Sequence, residues 1–172
     1  MSGTANDRGL AMLKHEVLKI LESDARTTPE AIVRMTGGSL DEVKQVIKDA
    51  EADRTIVRYK TVVNWEKVSN DRVEAIIEVK VTPQRDTGFD AIARRVYNFP
   101  EARTVYLMSG TYDLAVLVTG KTMHQVADFV SQKLAQIEGV QGTTTHFMLK
   151  RYKEDGEVLA GAEEVSRQQV VL

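Results

Sequence analysis

Residues that could contact a polyanion are gathered between positions 39 and 60. Lysine and arginine side chains neutralise phosphates, while serine and glutamine side chains form hydrogen bonds with phosphates or base edges. The candidates for contact with double-stranded DNA are Ser39, Lys44, Gln45, Lys48, Arg54, Arg58 and Lys60. An ordinary solvated helix face would carry the same residue types, and that alternative stays open for each of these positions.

A second group of interest is a polar turn that precedes an apolar stretch. Asp113 follows Tyr112 and comes directly before the run from Leu114 to Val118. Its carboxylate could accept hydrogen bonds from a ligand ammonium group, or from the backbone N–H groups of Gly110 and Thr111. The second interpretation makes Asp113 a turn cap, which is a common role of aspartate. The residues themselves favour the turn cap.

No residue pattern indicates a catalytic or metal-binding site. The chain has no cysteine, and none of its three histidines falls in a metal-ligand pattern. It also lacks a glycine-rich phosphate loop and a recognisable Ser-His-Asp spacing. An enzyme hypothesis would rest on His146 and Arg103 alone, so we expect no enzymatic activity, no catalytic residue, no metal and no cofactor.

Composition indicates a globular protein of one medium or two small domains. The chain has 172 residues, of which 42% are hydrophobic and 28% charged. A formal net charge of −2 excludes a strongly basic nucleic-acid coat but leaves room for a local basic patch. No apolar run approaches the ~18 residues that a membrane span needs. We therefore expect a soluble, cytoplasmic protein with no membrane partner.

Residues 1–63 are predicted to form a winged helix-turn-helix domain. Apolar residues recur at helical spacing over about 8–22, with Leu10 among them. Thr28 and Pro29 start a second helix, and the capping box that begins at Ser39 starts a third over about 40–53. The β-formers from Ile56 to Val63 then predict a short wing or linking strand.

The rest of the chain repeats a β-α-β pattern twice. A linker over 64–72 precedes predicted strands at Val73–Thr82, Ala102–Met108, Tyr112–Thr119 and Thr143–Lys150, with a helix after the first and one from Thr122 to Ala135. This order predicts a ferredoxin-like βαββαβ domain over 73–152, followed by a tail over 153–172. The predicted fold class is therefore α+β.

The predicted sheet is apolar on both faces. Leu114 to Val118 leave no polar face on the third strand, and Tyr106 and Met108 share one face of the second. Such a sheet needs a cover on the side that carries no helices. A second copy of the same sheet, in a two-fold homodimer, is favoured over a tail that folds back.

The order of these domains resembles the Lrp/AsnC (feast/famine) family of transcriptional regulators over about residues 10–152. The residues that carry the resemblance are Val17–Arg26, Ile56–Tyr59, Gly110–Asp113 and Val140–Thr145. The resemblance implies dimers that assemble further, often to octamers, and an amino acid or related metabolite as effector. It also implies that the effector is held near Gly110, Tyr112, Asp113, Thr143 and Thr145.

The predicted third helix departs from the family, in which this helix is usually rich in arginine. Residues 39–53 contain five acidic and two basic side chains, a net charge of −3. Because phosphate contacts need cations, this predicts modest affinity per domain, recovered when an oligomer engages several sites. Two alternatives stay open: a metabolite-binding protein of the same architecture that has lost DNA binding, and an enzyme on this scaffold.

Overall fold

The computed structural model describes residues 3–68, 72–82 and 88–160. The predicted linker 64–72 and tail 153–172 lie partly outside these ranges, at residues 69–71 and 161–172. The chain divides into two units, Met1–Thr61 and Val62–Leu172. The first unit is helical and the second contains a β-sheet with helices, so the predicted α+β class is confirmed.

Three helices make up the first unit: α1 (Gly3–Ser23), α2 (Pro29–Thr36) and α3 (Leu40–Ala52). The predicted caps are confirmed, since Thr28 Oγ1 accepts from the Ala31 N–H at 3.3 Å and Ser39 begins a capping box. α2 ends at Gly37, whose φ of 73° is left-handed and favours glycine. Local sequence therefore sets both ends of α2 and the start of α3.

One apolar core joins the three helices. α1 begins several residues before the predicted start at about residue 8, and Leu10, expected on the buried face, is 50% exposed. The contacts that hold the unit together lie in the second half of α1 and on the inner faces of α2 and α3. Its buried residues include Val17, Leu21, Ile32, Val43 and Val46.

The predicted wing strand is wrong, because residues 56–63 form no strand. Ile56 packs on the helical core, whereas Val57 and Tyr59 are exposed. A strand needs a hydrogen-bonding neighbour, and the described part of the first unit contains only helices and loops. β-propensity alone could not supply that neighbour.

The second unit contains one four-stranded antiparallel sheet in the order β2-β3-β1-β4. A 3₁₀ turn at Trp65–Lys67 leads into β1 (Val73–Val81), which α4 (Asp90–Tyr97) follows. The remaining elements are β2 (Ala102–Leu107), β3 (Leu114–Gly120), α5 (Met123–Phe129) and β4 (Val140–Phe147). A hairpin of β5 (Lys153–Glu154) and β6 (Glu157–Val158), which the sequence did not predict, completes the described chain.

The central strand β1 determines which face of the sheet is buried. Ala75, Ile77 and Val79 are fully buried, as the alternating pattern predicts. Their cross-strand neighbours in β3, such as Val116 opposite Ile77, point to the same face. The helices α4 and α5 and the residues that follow α5 cover this face with Ile92, Val96, Val126, Phe129, Leu134 and Ile137.

The predicted boundaries of three elements differ from the structure. β3 begins at Leu114, two residues later than predicted, and β4 begins at Val140 and ends at Phe147, each three residues earlier than predicted. The predicted helix from Thr122 to Ala135 is α-helical only as far as Phe129, the end of α5. It continues as a π-helical turn, in which the Ala135 N–H donates to the Val130 carbonyl at 2.8 Å. This wider turn ends at Leu134, which is fully buried.

The opposite face of the sheet carries no helix among the described residues. Ile76 is 43% exposed and Tyr106 is 61% exposed. Leu117 pairs with Ile76, and Ala115 with Tyr106, so these four residues share this face. We call Ile76, Tyr106, Ala115 and Leu117 the open sheet face. No helix in the described ranges is long and apolar enough to cross a membrane.

Candidate functional site

The start of α3 is stabilised by a reciprocal pair of side chains. Ser39 Oγ accepts from the Glu42 N–H at 3.3 Å, and Glu42 Oε2 accepts from the Ser39 N–H at 3.0 Å and from its hydroxyl at 2.7 Å. These hydrogen bonds from the Ser39 backbone and hydroxyl lower the pKa of Glu42. Ser39, one of the predicted DNA contacts, therefore serves first as a helix cap.

The exposed face of α3 displays three of the predicted contact residues together. Lys44, Gln45 and Lys48 are all exposed, while Val43, Val46 and Ala50 on the inner side are buried. Gln45 Nε2 donates to Asp49 Oδ1 at 2.7 Å, one helical turn away. Lys44 and Lys48 are also one turn apart, so the two ammonium groups project from the same side of the helix.

Three of the four acidic residues of α3 have structural partners within the first unit. Glu42 belongs to the capping box, Asp49 accepts from Gln45, and Glu51 Oε1 accepts from the Tyr59 hydroxyl at 2.8 Å. These contacts explain why a helix with so many carboxylates is stable. They do not remove its negative charge.

The last of these carboxylates closes the end of α3. Asp53 Oδ1 accepts from the Thr55 N–H at 2.8 Å, and Asp53 Oδ2 lies 3.2 Å from Lys14 Nζ. Hydrogen bonds from Thr55, followed by those from the Lys14 ammonium group, lower the pKa of Asp53 to about 2. Lys14 thus balances one negative charge near the predicted DNA contacts.

Arg54, Arg58 and Lys60 follow α3 on an exposed segment. Arg54 has a φ of 61°, a left-handed conformation that residues other than glycine and asparagine adopt at a cost. It stands directly after the C-cap Asp53, where glycine is the most common residue.

At the β2–β3 turn, Asp113 is tied to strand β1. Its Oδ2 accepts from the Val81 N–H at 2.8 Å, and its own N–H donates to the Val79 carbonyl at 3.0 Å. The donors considered from the sequence, the N–H groups of Gly110 and Thr111, are not the ones used. The carboxylate thus binds a β1 N–H group just beyond the last β1–β3 pair, Val79–Leu114.

The other predicted effector residues lie at different distances from this end of the sheet. Thr143 pairs with Val79, so it lies on β4, the strand next to the β1 segment that Asp113 contacts. Thr145 pairs with Ile77, two residues nearer the middle of the strand. Tyr112 is half-buried and Gly110 is exposed with a φ of 138°. The fold thus brings Asp113 and Thr143 to the same end of the sheet, whereas Thr145 lies farther from that end.

The weak enzyme candidates do not converge on one another. His146 Nε2 lies 3.3 Å from Glu78 Oε1 on the same side of the sheet as Ile76, whereas Arg103 is exposed on β2. His124, whose side chain is exposed, places Nε2 3.4 Å from Asp128 Oδ2 on α5. Within the described ranges, no group of three or more acidic or histidine side chains could hold a metal ion.

Sequence reasoning missed a charged cluster at the other end of β1. Arg72 and Arg151 both contact Glu74, a residue that is only 9% exposed. Trp65, expected in the linker, lies beside this cluster with the Arg72 guanidinium carbon 5.7 Å from its ring centroid. A charged residue on a mainly apolar strand was the one available signal, and its partner Arg151 is far away in the sequence.

Comparison with known proteins assigns the chain to a family. The model of the Lrp/AsnC ligand binding domain matches residues 74–158. A Bacillus subtilis protein named as the uncharacterized HTH-type transcriptional regulator YugG is 45% identical over 153 residues, which span 88% of this chain and 92% of that protein. The HTH-type transcriptional regulator FL11 of Pyrococcus furiosus is 28% identical over 83% of this chain and 91% of its own length.

Solved structures share the fold at lower identity. The transcriptional regulator NMB0573 of Neisseria meningitidis, crystallised as an L-Met complex, superposes with a TM-score of 0.66 and 22% identity over 83% of this chain and 91% of its own. AsnC of E. coli gives a TM-score of 0.63 and 18% identity over 83% and 93%. Together, these relatives define a class of helix-turn-helix transcriptional regulators. The chain belongs to the Lrp/AsnC family.

Proposed function

We propose that the protein is a cytoplasmic, sequence-specific DNA-binding regulator of transcription that responds to an amino acid or a related small metabolite. The first unit binds double-stranded DNA and the second senses the effector. The observation that carries this proposal is the exposed face of α3, where Lys44, Gln45 and Lys48 stand opposite the buried side of the helix. Relatives named as transcriptional regulators support a regulator rather than an enzyme.

Two features of the fold support the assignment of roles. Only the three residues 37–39 separate α2 from α3, as expected for a helix-turn-helix whose second helix enters the major groove. The strand order β2-β3-β1-β4, with both helices on one face, supports a ferredoxin-like sensor domain. We therefore assign DNA binding to α3 and the segment after it, and effector binding to the sheet unit.

Lys48→Ala and Arg58→Ala should each weaken DNA binding regardless of sequence. Each removes one phosphate contact, so the slope of log affinity against log salt should become shallower by about one unit. Gel-shift titrations of DNA from upstream of the protein's own gene, at several salt concentrations, measure both quantities. Lys121→Ala, an equal charge change on the sheet unit, is the control and should leave affinity and slope unchanged.

The same titration separates the alternative functions. If the wild-type protein gives no gel shift at micromolar concentration and low salt, the protein is a metabolite-binding protein of the same architecture that has lost DNA binding. If Lys121→Ala weakens binding as much as Lys48→Ala, α3 is not the contact surface. Arg54→Gly adds a further comparison, because glycine accepts the left-handed backbone. A loss of DNA affinity in this variant would therefore come from the missing arginine side chain and not from backbone strain.

We place the effector beside the β2–β3 turn, at the end of the sheet that holds Gly110, Tyr112, Asp113 and Thr143, with Thr145 deeper on the same strand. An amino acid needs an acceptor for its ammonium group and donors for its carboxylate. Asp113 already accepts the Val81 N–H through one oxygen, so the ammonium group would use the remaining capacity of the carboxylate. A ligand here would also act on the β1 segment that Asp113 holds.

Asp113→Asn should abolish the thermal stabilisation that an amino acid gives to the wild type. The amide retains an oxygen for the Val81 N–H but loses the charge that attracts an ammonium group. Thermal-shift screening of the twenty amino acids, with L-methionine included because a structural neighbour was crystallised with it, provides the measurement. Asp155→Asn, at an exposed left-handed position that asparagine accepts, is the control. Equal shifts in wild type and Asp113→Asn would place the effector elsewhere.

The open sheet face supports a homodimer. Ile76, Tyr106, Ala115 and Leu117 form a contiguous apolar surface on a sheet whose other face is already packed on helices. A second copy related by a two-fold axis would cover this surface with the same residues. Assembly of dimers into larger oligomers, up to an octamer, rests on the family resemblance.

A further inference from the structure

A cavity of about 470 Å³ opens within the sheet unit beside the first residues of β1. Part of its wall is apolar and is formed by Val63, Trp65, Met148, Leu149 and Leu159. The rest of the wall carries three cationic side chains against two carboxylates, a balance of +1. Ligand sites of this size commonly combine an apolar wall with a few placed polar groups.

Arg72 lies in this wall with most of its hydrogen-bonding capacity unused among the described residues. Its Nε lies 2.8 Å from Glu74 Oε1, but the N–H group is not aligned for a hydrogen bond. Among the described residues, none accepts a hydrogen bond from its two terminal nitrogens. A guanidinium offers five N–H donors and is the side chain best suited to a planar carboxylate.

Glu74 holds the Arg72 guanidinium in place but does not accept hydrogen bonds from its terminal nitrogens. The same carboxylate is held on its other side by Arg151 Nη2, and Arg151 Nε lies 3.0 Å from Glu154 Oε2. Arg72 also stacks on the ring of Trp65, a residue that is 44% exposed. The guanidinium is therefore held in place by its neighbours, while no acceptor for its terminal donors lies among the described residues.

We propose that this cavity binds a small organic anion that carries one carboxylate and an apolar or aromatic body. The carboxylate accepts hydrogen bonds from Arg72, and the body packs against Trp65 and the aliphatic wall. The site lies at the opposite end of β1 from the Asp113 turn. Glu74 and Val81 are seven residues apart on this strand, which is roughly 23 Å in an extended chain. The proposal does not rest on DNA binding or on the effector site.

The single tryptophan of the chain makes the site directly observable. Hydrocinnamate has the proposed carboxylate and ring, hydrocinnamyl alcohol lacks the charge, and propionate lacks the ring. Titration of the full-length protein with hydrocinnamate should give a saturable change in Trp65 fluorescence. The other two compounds should bind at least about tenfold more weakly, because each loses one of the two interactions.

Variants decide whether Arg72 makes the contact. Arg72→Gln should weaken hydrocinnamate binding about tenfold or more, and Arg72→Lys should weaken it less. Glu74 keeps Arg151 as a partner in both variants, so the fold is retained, which circular dichroism checks. Arg95→Gln on α4 and Asp113→Asn should bind like the wild type.

Three results would each overturn the proposal: no saturable signal with hydrocinnamate, equal binding of the alcohol, or equal binding by Arg72→Gln. Loss of binding in Asp113→Asn would assign the signal to the turn instead and would also overturn it. A failed DNA titration would leave all of these outcomes unaffected, so the two proposals are tested separately.

Discussion

Replacement of Glu74 by leucine is expected to lower the free energy of unfolding by about 3 kcal/mol. Glu74 is nearly buried and contacts the guanidinium groups of both Arg72 and Arg151. Removal of the carboxylate leaves two cations close together in a partly buried position, where solvation is poor. Urea unfolding followed by circular dichroism measures the change.

Asp128→Leu is the control for Glu74→Leu, since Asp128 is a carboxylate of the same unit on α5, which packs on the other side of the sheet from the open sheet face. The Asp128 side chain is half-exposed and lies 3.4 Å from that of the exposed His124, one helical turn away. An exposed pair of this kind contributes at most about 1 kcal/mol, so the control should change stability little. Equal losses in the two variants would show that the Arg72–Glu74–Arg151 cluster contributes no more than a surface pair.

Leu117→Asp should convert the protein from an oligomer to a monomer. Leu117 lies next to Ile76 on the open sheet face, which we propose to be covered by a second copy. In a dimer the new carboxylate would be buried without a partner, at a cost of several kcal/mol, which raises the dissociation constant roughly a hundredfold or more. In a monomer the same carboxylate would face water.

Light scattering of wild type and variant measures this directly. The wild type should have at least twice the 19.2 kDa chain mass, and Leu117→Asp should have the chain mass itself. Met123→Asp is the control, because Met123 is an equally apolar, 54% exposed residue at the first position of α5, where a negative charge is favourable. A monomeric wild type would rule out the dimer and leave the open sheet face without a cover.

Local patterns predicted the parts of this fold that depend on local contacts. The caps at Thr28 and Ser39 and the alternation of β1 each involve residues within a few positions of one another, and all three are confirmed. The strand predicted from the β-forming residues 56–63 is absent, because strand formation does not depend on local sequence alone. Its existence depends on a neighbour that the described part of the first unit does not provide.

The candidate sites show the same limit at the level of side chains. The sequence marked Asp113 but could not identify the Val81 N–H as its donor, because that contact depends on the pairing of β1 with β3, which joins residues 32 positions apart. The cluster around Glu74 was missed altogether, since Arg151 lies 77 positions away along the chain. By contrast, the exposed face of α3 followed directly from helical periodicity.

The strand order of the sheet also determines when the two units can fold during synthesis. The helices of the first unit contact one another within Met1–Thr61, so they can assemble as soon as that stretch has left the ribosome. β1 is translated first among the strands but lies in the middle of the sheet, and its outer partner β4 is the last of the four to emerge. Until Val140–Phe147 arrives, one edge of an apolar strand stays unpaired. Glu74, Glu78 and Lys80 alternate with the apolar residues of β1 and give the nascent strand charges that oppose its aggregation.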